Sequence, residues 1–126
     1  MYIIAMTKQA LLIIDHGSKK QAANDMINDI VTLIKEEKPH LIVVGAHMEL
    51  ASPTIEDGIT TCIDHGATEI IAQPFMLSPG RHTTEDIPNM VAEIALKFPD
   101  ISIKTSTHLG VHPLLAPIIL ERAGIH

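Results

Sequence analysis

Four short runs of aliphatic residues recur along the chain, and a helical pattern follows each run. They lie at residues 10–14, 41–44, 69–72 and 101–104. Strands that alternate with helices are typical of βαβ units and a parallel sheet. The first three runs consist almost entirely of Ile, Leu, Val and Ala, so we expect helices to cover both faces of the sheet, whereas the fourth run alternates more and is expected nearer an edge. The sequence therefore predicts an α/β fold, a three-layer sandwich with a four-stranded, mainly parallel sheet.

The helices between the runs are predicted from stripes of apolar residues at three- and four-residue steps. The first spans about residues 19–37 and the third about residues 84–98. At the start of the second, we expect Ser52 to cap free N–H groups and Pro53 to take the first helical position. A fourth helix is expected near the C-terminus, where Pro117 should kink it or delay its start.

Size and composition limit the number of domains and the class of partner. At 126 residues, with no linker or low-complexity tract, the chain is expected to form one domain over residues 1–126. Because the formal charge is −6 and aromatic residues make up 2%, we expect no nucleic acid and no membrane as a partner. The single cysteine, Cys62, excludes an internal disulfide and a CxxC zinc site and fits a reducing, cytoplasmic location. Its place on an apolar helix stripe predicts a core residue.

Polar residues follow three of the predicted strands at the point where each strand ends. His16 follows the first, Glu49 follows the second, and His82 lies in the loop after the third. Because the carboxyl ends of parallel strands share one edge of an open sheet, we expect these residues to converge on one cleft. Two imidazoles and a carboxylate suit the handling of a divalent metal, of protons, or of both. For His16, the alternative is a structural histidine that only bonds its own turn. Loops like that of His82 carry function more often than packing, and the charge of Glu49 is unfavourable unless it faces a cleft or a partner.

Further residues near these positions have two explanations each. Arg81 can pair with an anionic ligand or remain a solvated surface charge. If the chain stays extended, His47 shares a face with Glu49 and brings another imidazole within reach, although a polar residue at a strand end is commonplace. His108 and His112 flank the loop after the fourth run, where a role in the cleft is secondary.

Four pieces of the sequence, in this order, resemble the small chelatases of the CbiX and SirB type. They are LLIIDHGS, ELASPTIEDGI, GATEIIAQPFMLSPGRHTTEDIP and LGVHPLL, which spread across nearly the whole chain. Such chelatases insert a divalent metal into sirohydrochlorin. The resemblance implies a flavodoxin-like chelatase lobe in which His16, His82 and Glu49 are the catalytic residues and the metal ligands. Because larger chelatases carry two such lobes in one chain, it also implies a homodimer.

The chemistry that the resemblance implies agrees with these residue types. A metal ion replaces two pyrrole protons, so the site needs a neutral nitrogen that delivers the ion and a base that collects protons. Imidazole, whose unperturbed pKa is about 6.5, suits both tasks at neutral pH, and Glu49 would orient a histidine or share the proton transfer. The metal would be a substrate, with no tightly bound cofactor. Histidine and carboxylate ligands accept Fe²⁺, Co²⁺ and Ni²⁺ alike, so the identity of the ion stays open.

The same resemblance implies how the macrocycle is held. Sirohydrochlorin carries carboxylates around a flat apolar ring, whereas this chain is itself acidic, so local cations must offset the mismatch. The predicted polar contacts are Arg81, Lys19, Lys20, Ser18 and Ser78, together with free N–H groups at the helix starts. The predicted apolar contacts are Met48, Leu50, Phe75, Met76 and Leu77, although a run of Met and Leu beside a strand is more often part of the core.

Other functions remain open at this point. A metal or tetrapyrrole carrier needs the same cleft as an enzyme, and Ni²⁺ insertion in a related tetrapyrrole pathway needs the same residues. Phosphoryl transfer through a nucleophilic His16 is the lowest-ranked alternative, because the carboxylate of Asp15 would repel a phosphate.

Overall fold

Four parallel strands form one sheet in the order β2-β1-β3-β4. The computed structural model describes residues 7–126, except for the side chains of residues 82 and 83. The strands are β1 (Gln9–Asp15), β2 (Ile42–His47), β3 (Glu69–Pro74) and β4 (Ser102–Thr105). The helices are α1 (Gln21–Glu37), α2 (Ile55–Asp64), α3 (Ile87–Ala95) and α4 (Leu115–Ala123), and a π-helical turn, His82–Asp86, leads into α3. The predicted four-stranded α/β sheet is confirmed, and β4 lies at an edge as expected.

Helices cover both faces of the sheet. Alternate residues of β1 point to opposite faces, and those on each face are buried in a different core. Ala10, Leu12 and Ile14 are fully buried in a large core that includes residues of α2 and α3. Ile13 belongs to a smaller core with Ile27 of α1 and Val43 of β2. The structure is therefore the three-layer sandwich that the near-continuous aliphatic runs predict.

The start of α2 differs from the sequence-based expectation. Thr54 is the capping residue: its backbone N–H donates to Oδ2 of Asp57 at 3.0 Å, and its Oγ1 accepts from the backbone N–H of Asp57 at 3.1 Å. This reciprocal pair is a capping box, which satisfies two N–H groups at once. The prediction of Ser52 as the cap and Pro53 as the first helical residue is wrong, because the helix begins at Ile55.

Proline and cysteine positions also bear on the predicted elements. Pro117 falls in the first turn of α4, where the missing N–H has no helical partner to lose, so the helix starts at Leu115 in spite of it. Cys62 is fully buried in the core, as predicted, and burial raises the pKa of its thiol to about 11. None of the helices in the described part of the chain is long and apolar enough to cross a membrane.

Within residues 7–126, no strand pairs along the outer edge of β2 in the sheet. Near its carboxyl end the following segment folds back, and the N–H of His47 donates to the carbonyl of Pro53 at 2.9 Å. Towards its amino end the edge lies in a groove of about 560 Å³ whose walls include Lys35 and Pro39. The edge is therefore covered where it approaches His47 and open further down.

Replacement of Thr54 tests which residue caps α2. Thr54→Ala should lower the free energy of unfolding by about 1 kcal/mol, because it removes one half of the capping box. Ser52→Ala should change it by less than about 0.5 kcal/mol, as expected of an exposed position outside the helix. Urea unfolding followed by circular dichroism measures both values, and equal losses would contradict the assignment of the cap.

Candidate active site

The main chains that carry His16 and Glu49 are hydrogen-bonded to each other. Asp15 and His47 are the last register pair of β1 and β2. Beyond them, the N–H of Met48 donates to the carbonyl of Asp15 at 2.8 Å, and the N–H of Glu49 donates to the carbonyl of His16 at 3.1 Å. The pairing of the two strands thus continues past their ends and places these two predicted site residues side by side.

Gly17 permits this close approach. Its φ is +87°, and a Cβ at this position would lie 1.8 Å from the carbonyl oxygen of Glu49 and 3.2 Å from the Cβ of His47. A side chain here would collide with backbone, and the left-handed conformation is itself unfavourable for other residues. The glycine after His16 is therefore a structural requirement of the edge where the site is predicted.

Sequence reasoning missed the pairing of His47 with Asp15. The Nδ1 of His47 lies 2.6 Å from Oδ1 of Asp15, and the histidine is 2% exposed. The prediction that His47 reaches the cleft from an extended strand end does not fit this buried ring. The sequence shows only an acidic residue and a histidine at the ends of two aliphatic runs. Whether these two residues pair depends on the register of the strands, which the sequence alone does not give.

The side chains of His16 and Glu49 line different hollows. His16 borders a hollow of about 220 Å³ beside α1, together with Asp15 and Phe75. Glu49 borders one of about 340 Å³ beside α3, together with Asp86 and Glu93. Among the side chains that the structure describes, no three metal-binding residues form a cluster. His82 opens the π-helical turn and its side chain lies outside the described atoms, so the convergence of all three residues stays a prediction.

The charges around these hollows favour a cation on one side and an anion at the rim. The carboxylates of Glu49, Asp86 and Glu93 border the hollow beside α3. They make the local electrostatic potential more negative, which attracts a divalent cation. Lys19 and Lys20 are exposed just after His16. Both kinds of charge therefore occur at the edge where the predicted site lies.

The structure gives local partners to two of the predicted contacts for an anionic ligand. Ser18 donates its N–H to Oδ1 of Asn24 at 2.9 Å, and its Oγ accepts from the N–H of Lys20 at 3.0 Å. These bonds order the turn before α1. The Nε of Arg81 lies 3.6 Å from Oε2 of Glu85, and both side chains are largely exposed. Because such a surface pair is weak, the guanidinium can exchange this partner for a ligand carboxylate.

The predicted apolar contacts divide into exposed and buried residues. Leu50 and Leu77 are 60% and 58% exposed, and Ser78 is exposed beside Leu77. Met48 and Met76 are each 7% exposed and pack in the large core, so the position of Met76 fits the core alternative better than a contact with a ring. Leu50 has a φ of +68°, a strained conformation for leucine that changes the direction of the chain just after Glu49.

An apolar groove of about 750 Å³ lies beyond the carboxyl ends of β3 and β4. Its walls include Leu77, His108, Val111 and Ile119. His112 also borders it, and its Nδ1 accepts a hydrogen bond from the N–H of Leu114 at 3.1 Å. This bond gives His112 a local role in the turn before α4, in agreement with its secondary ranking from the sequence.

Comparisons with known proteins agree with this fold. A family model described as CbiX matches residues 10–125. The chain belongs to the CbiX family. This CbiX chain is 40% identical over 112 residues to the chloroplastic sirohydrochlorin ferrochelatase of Arabidopsis thaliana, a match that covers 89% of the chain and 50% of that protein. It is 31% identical over 124 residues to the sirohydrochlorin cobaltochelatase of Methanococcoides burtonii, which covers 92% of the chain and 95% of that protein.

A solved structure gives the same result for the fold of the CbiX chain. The sirohydrochlorin chelatase SirB from Bacillus subtilis subspecies spizizenii, in complex with cobalt, superposes with a TM-score of 0.85 at 29% sequence identity. The match covers 94% of this chain and 50% of that one. The chain thus spans about half the length of the plant ferrochelatase and of SirB, and nearly the whole length of the cobaltochelatase from Methanococcoides.

Two glycine variants test the close approach at the edge of the sheet. Gly17→Ala should cost more than about 2 kcal/mol, because a left-handed alanine costs about 1–2 kcal/mol and its Cβ also overlaps a backbone carbonyl. Gly124→Ala is the matched control, since its φ is +72° and nothing lies within 4 Å of the added Cβ. Urea unfolding gives both losses, and equal values would mean that the two main chains are not in contact at Gly17.

Proposed function

We propose that this protein inserts a divalent metal ion, Co²⁺ or Fe²⁺, into sirohydrochlorin as a step of cobalamin or siroheme biosynthesis. The observation that carries the proposal is the family match over residues 10–125, which includes His16, Glu49 and His82. The two relatives compared above are named for this reaction with iron and with cobalt. Because the chain spans only half of the plant enzyme, the proposal requires that this shorter chain insert the metal without a second, covalently linked lobe.

In this mechanism the metal is a substrate that passes from side chains to the macrocycle. His16 and His82 bind the ion through neutral ring nitrogens, which suits Fe²⁺ and Co²⁺. Two pyrrole N–H bonds break, two metal–nitrogen bonds form, and the two protons leave to a basic side chain and then to solvent. An imidazole released from the metal can accept such a proton. Glu49 takes a proton or orients a histidine, and the neighbouring carboxylates of the hollow beside α3 attract the ion.

The ring would lie across the carboxyl edge of the sheet. Its carboxylates would contact the positively charged Arg81 and Lys19. They would also contact the hydroxyl of Ser18, which can donate its O–H while its Oγ accepts from the N–H of Lys20. These groups lie on an otherwise acidic protein. Leu50 and Ser78 are exposed at the same edge and would contact its face and rim. The protein needs no resident cofactor for this chemistry, and we propose a cytoplasmic location because the chain has a single, buried cysteine.

A non-catalytic carrier is the main competing function. It would bind the same ion and the same pigment at the same edge but would leave the rate of insertion unchanged. Ni²⁺ insertion differs only in the ion. Both alternatives are separated from the proposal by measuring insertion rates with each metal.

Anaerobic mixing with sirohydrochlorin and Fe²⁺, Co²⁺ or Ni²⁺ tests the proposal. We expect the absorbance of the pigment to change faster than without protein, with Fe²⁺ or Co²⁺ as the faster ion. His16→Ala and His82→Ala should each lower turnover by about 10²-fold or more, as the loss of a ligand or base does.

His65→Ala is the control, because this exposed ring at the end of α2 is hydrogen-bonded to the carbonyl of Thr61 at 2.7 Å. It should keep full activity. Equal rates with and without protein would favour the carrier, and a faster reaction with Ni²⁺ than with the other ions would favour the related pathway.

We also propose that the protein acts as a homodimer. None of the residues of α4 is buried. The exposed residues define what we call the C-terminal apolar face: Leu109, Val111, Leu114, Ile118, Ile119 and Leu120, which are between 45% and 103% exposed. A helix that is apolar on several sides is usually covered in the functional protein.

Charge and chain length support a second copy as the partner of this face. Residues 109–120 contain no Asp, Glu, Lys or Arg, so two chains that each carry a charge of −6 can meet here with little repulsion between nearby charges. The face also borders the apolar groove beyond β3 and β4. Relatives of this lobe occur both at nearly its own length and at about twice that length, as expected if two lobes work together.

Sedimentation equilibrium tests the dimer. The wild type should have twice the monomer mass of 13.7 kDa, whereas Ile118→Asp and Ile119→Asp should weaken association by at least about tenfold, because an unpaired carboxylate would be buried between the copies. Leu96→Asp is the matched control, since Leu96 is 82% exposed but lies after α3. A monomeric wild type, or variants that associate like it, would contradict the proposed interface.

A further inference from the structure

A histidine and a carboxylate that the proposed mechanism does not use are paired directly behind the predicted site. Asp15 immediately precedes His16, and His47 lies two residues before Glu49. Their side chains meet at 2.6 Å, with the imidazole 3% and the carboxylate 20% exposed. We propose that Asp15 and His47 form a positioning pair, which sets the separation between the segments that carry His16 and Glu49.

The bond joins the two strands at the last point where they are in register. Asp15 is opposite His47 in the β1·β2 ladder, so the side-chain bond runs across the strands alongside the backbone bonds. A short contact between a carboxylate and a ring nitrogen is stronger than a neutral hydrogen bond, and burial keeps water from competing for it. The separation of the strands is therefore fixed by side chains as well as by backbone just before the site residues begin.

Residue 47 also lies directly beneath the turn that holds His16. A Cβ on Gly17 would lie 3.2 Å from the Cβ of His47, so the turn packs closely over this residue. The carboxylate borders the same hollow as His16. A side chain at position 47 that has no hydrogen-bond donor in the place of Nδ1 would leave Asp15 without this partner. The pair can thus affect the position of His16 without touching the metal or the macrocycle.

A pair that contributes only to stability would show different behaviour. Its loss would weaken folding to the same extent whatever residue occupies position 16, and metal binding by the folded fraction would not change. A positioning pair acts through His16, so its effect on metal affinity should disappear once His16 is gone. Coupling between the two positions therefore separates the two roles.

Isothermal titration calorimetry of the purified protein with Co²⁺ alone measures this coupling. The inference rests on the proposed function, but this measurement does not depend on turnover. His47→Leu should raise the dissociation constant by about tenfold or more, the size of effect seen when partners that orient metal ligands are lost. His47→Asn should stay within about threefold of wild type, because its amide can donate to Asp15 from the same place as Nδ1. His16→Ala/His47→Leu should bind Co²⁺ as His16→Ala does.

The controls keep each outcome decisive. His65→Leu, which removes an exposed histidine from the far end of α2, should not change Co²⁺ affinity. Circular dichroism reports the folded fraction, and if His47→Leu is partly unfolded, Asp15→Ala removes the same bond from the side of the carboxylate. Unchanged affinity in both variants, or losses that add to that of His16→Ala, would overturn the positioning role. Turnover is measured separately, so coupled Co²⁺ binding without insertion would contradict the proposed activity alone.

Discussion

The parallel pairing of β1 with β2 is the interaction on which the rest of this edge depends. It begins inside the core and continues through the side chains of Asp15 and His47 into the main chains of His16 and Glu49. Each part supports the next, because the buried aliphatic residues fix the register and the register decides which polar groups become neighbours. The candidate site is therefore an extension of the sheet rather than an independent loop structure, and its geometry depends on the packing below it.

Electrostatics add a second requirement, since the proposed metal is a cation, whereas the protein and its proposed macrocycle are both anionic. The acidic hollow around Glu49 and Glu93 lies on the side of α3, while the lysines after His16 lie on the side of α1. A cation and a polyanion can therefore approach different parts of one edge. Net charge alone suggests repulsion of the pigment, but the local distribution of charge is what governs its approach.

Much of the fold could be predicted from the sequence, because burial on two faces imposes a composition that can be read directly. The four aliphatic runs correspond to the four strands, and the stripe with Cys62 lies in the core. Helix starts were harder to predict from short polar motifs. Ser52-Pro53 has the pattern of a helix start, but Thr54, two residues later, caps the helix because it gains a reciprocal hydrogen-bond partner in Asp57. The neighbouring main chains of His16 and Glu49 follow from the parallel sheet. The pairing of His47 with Asp15 does not, because it depends on a register that no single segment contains.

The segment that folds back at the end of β2 has a consequence for how the sheet can grow. The carbonyl of Pro53 accepts the hydrogen bond of the His47 N–H. A strand added along the open edge would therefore pair only with the amino-terminal half of β2. Lysine and proline border that open stretch, which also makes accidental pairing with other chains unfavourable. Extra strands added on this flank would thus enlarge the sheet without reaching the candidate site at the carboxyl ends of the strands.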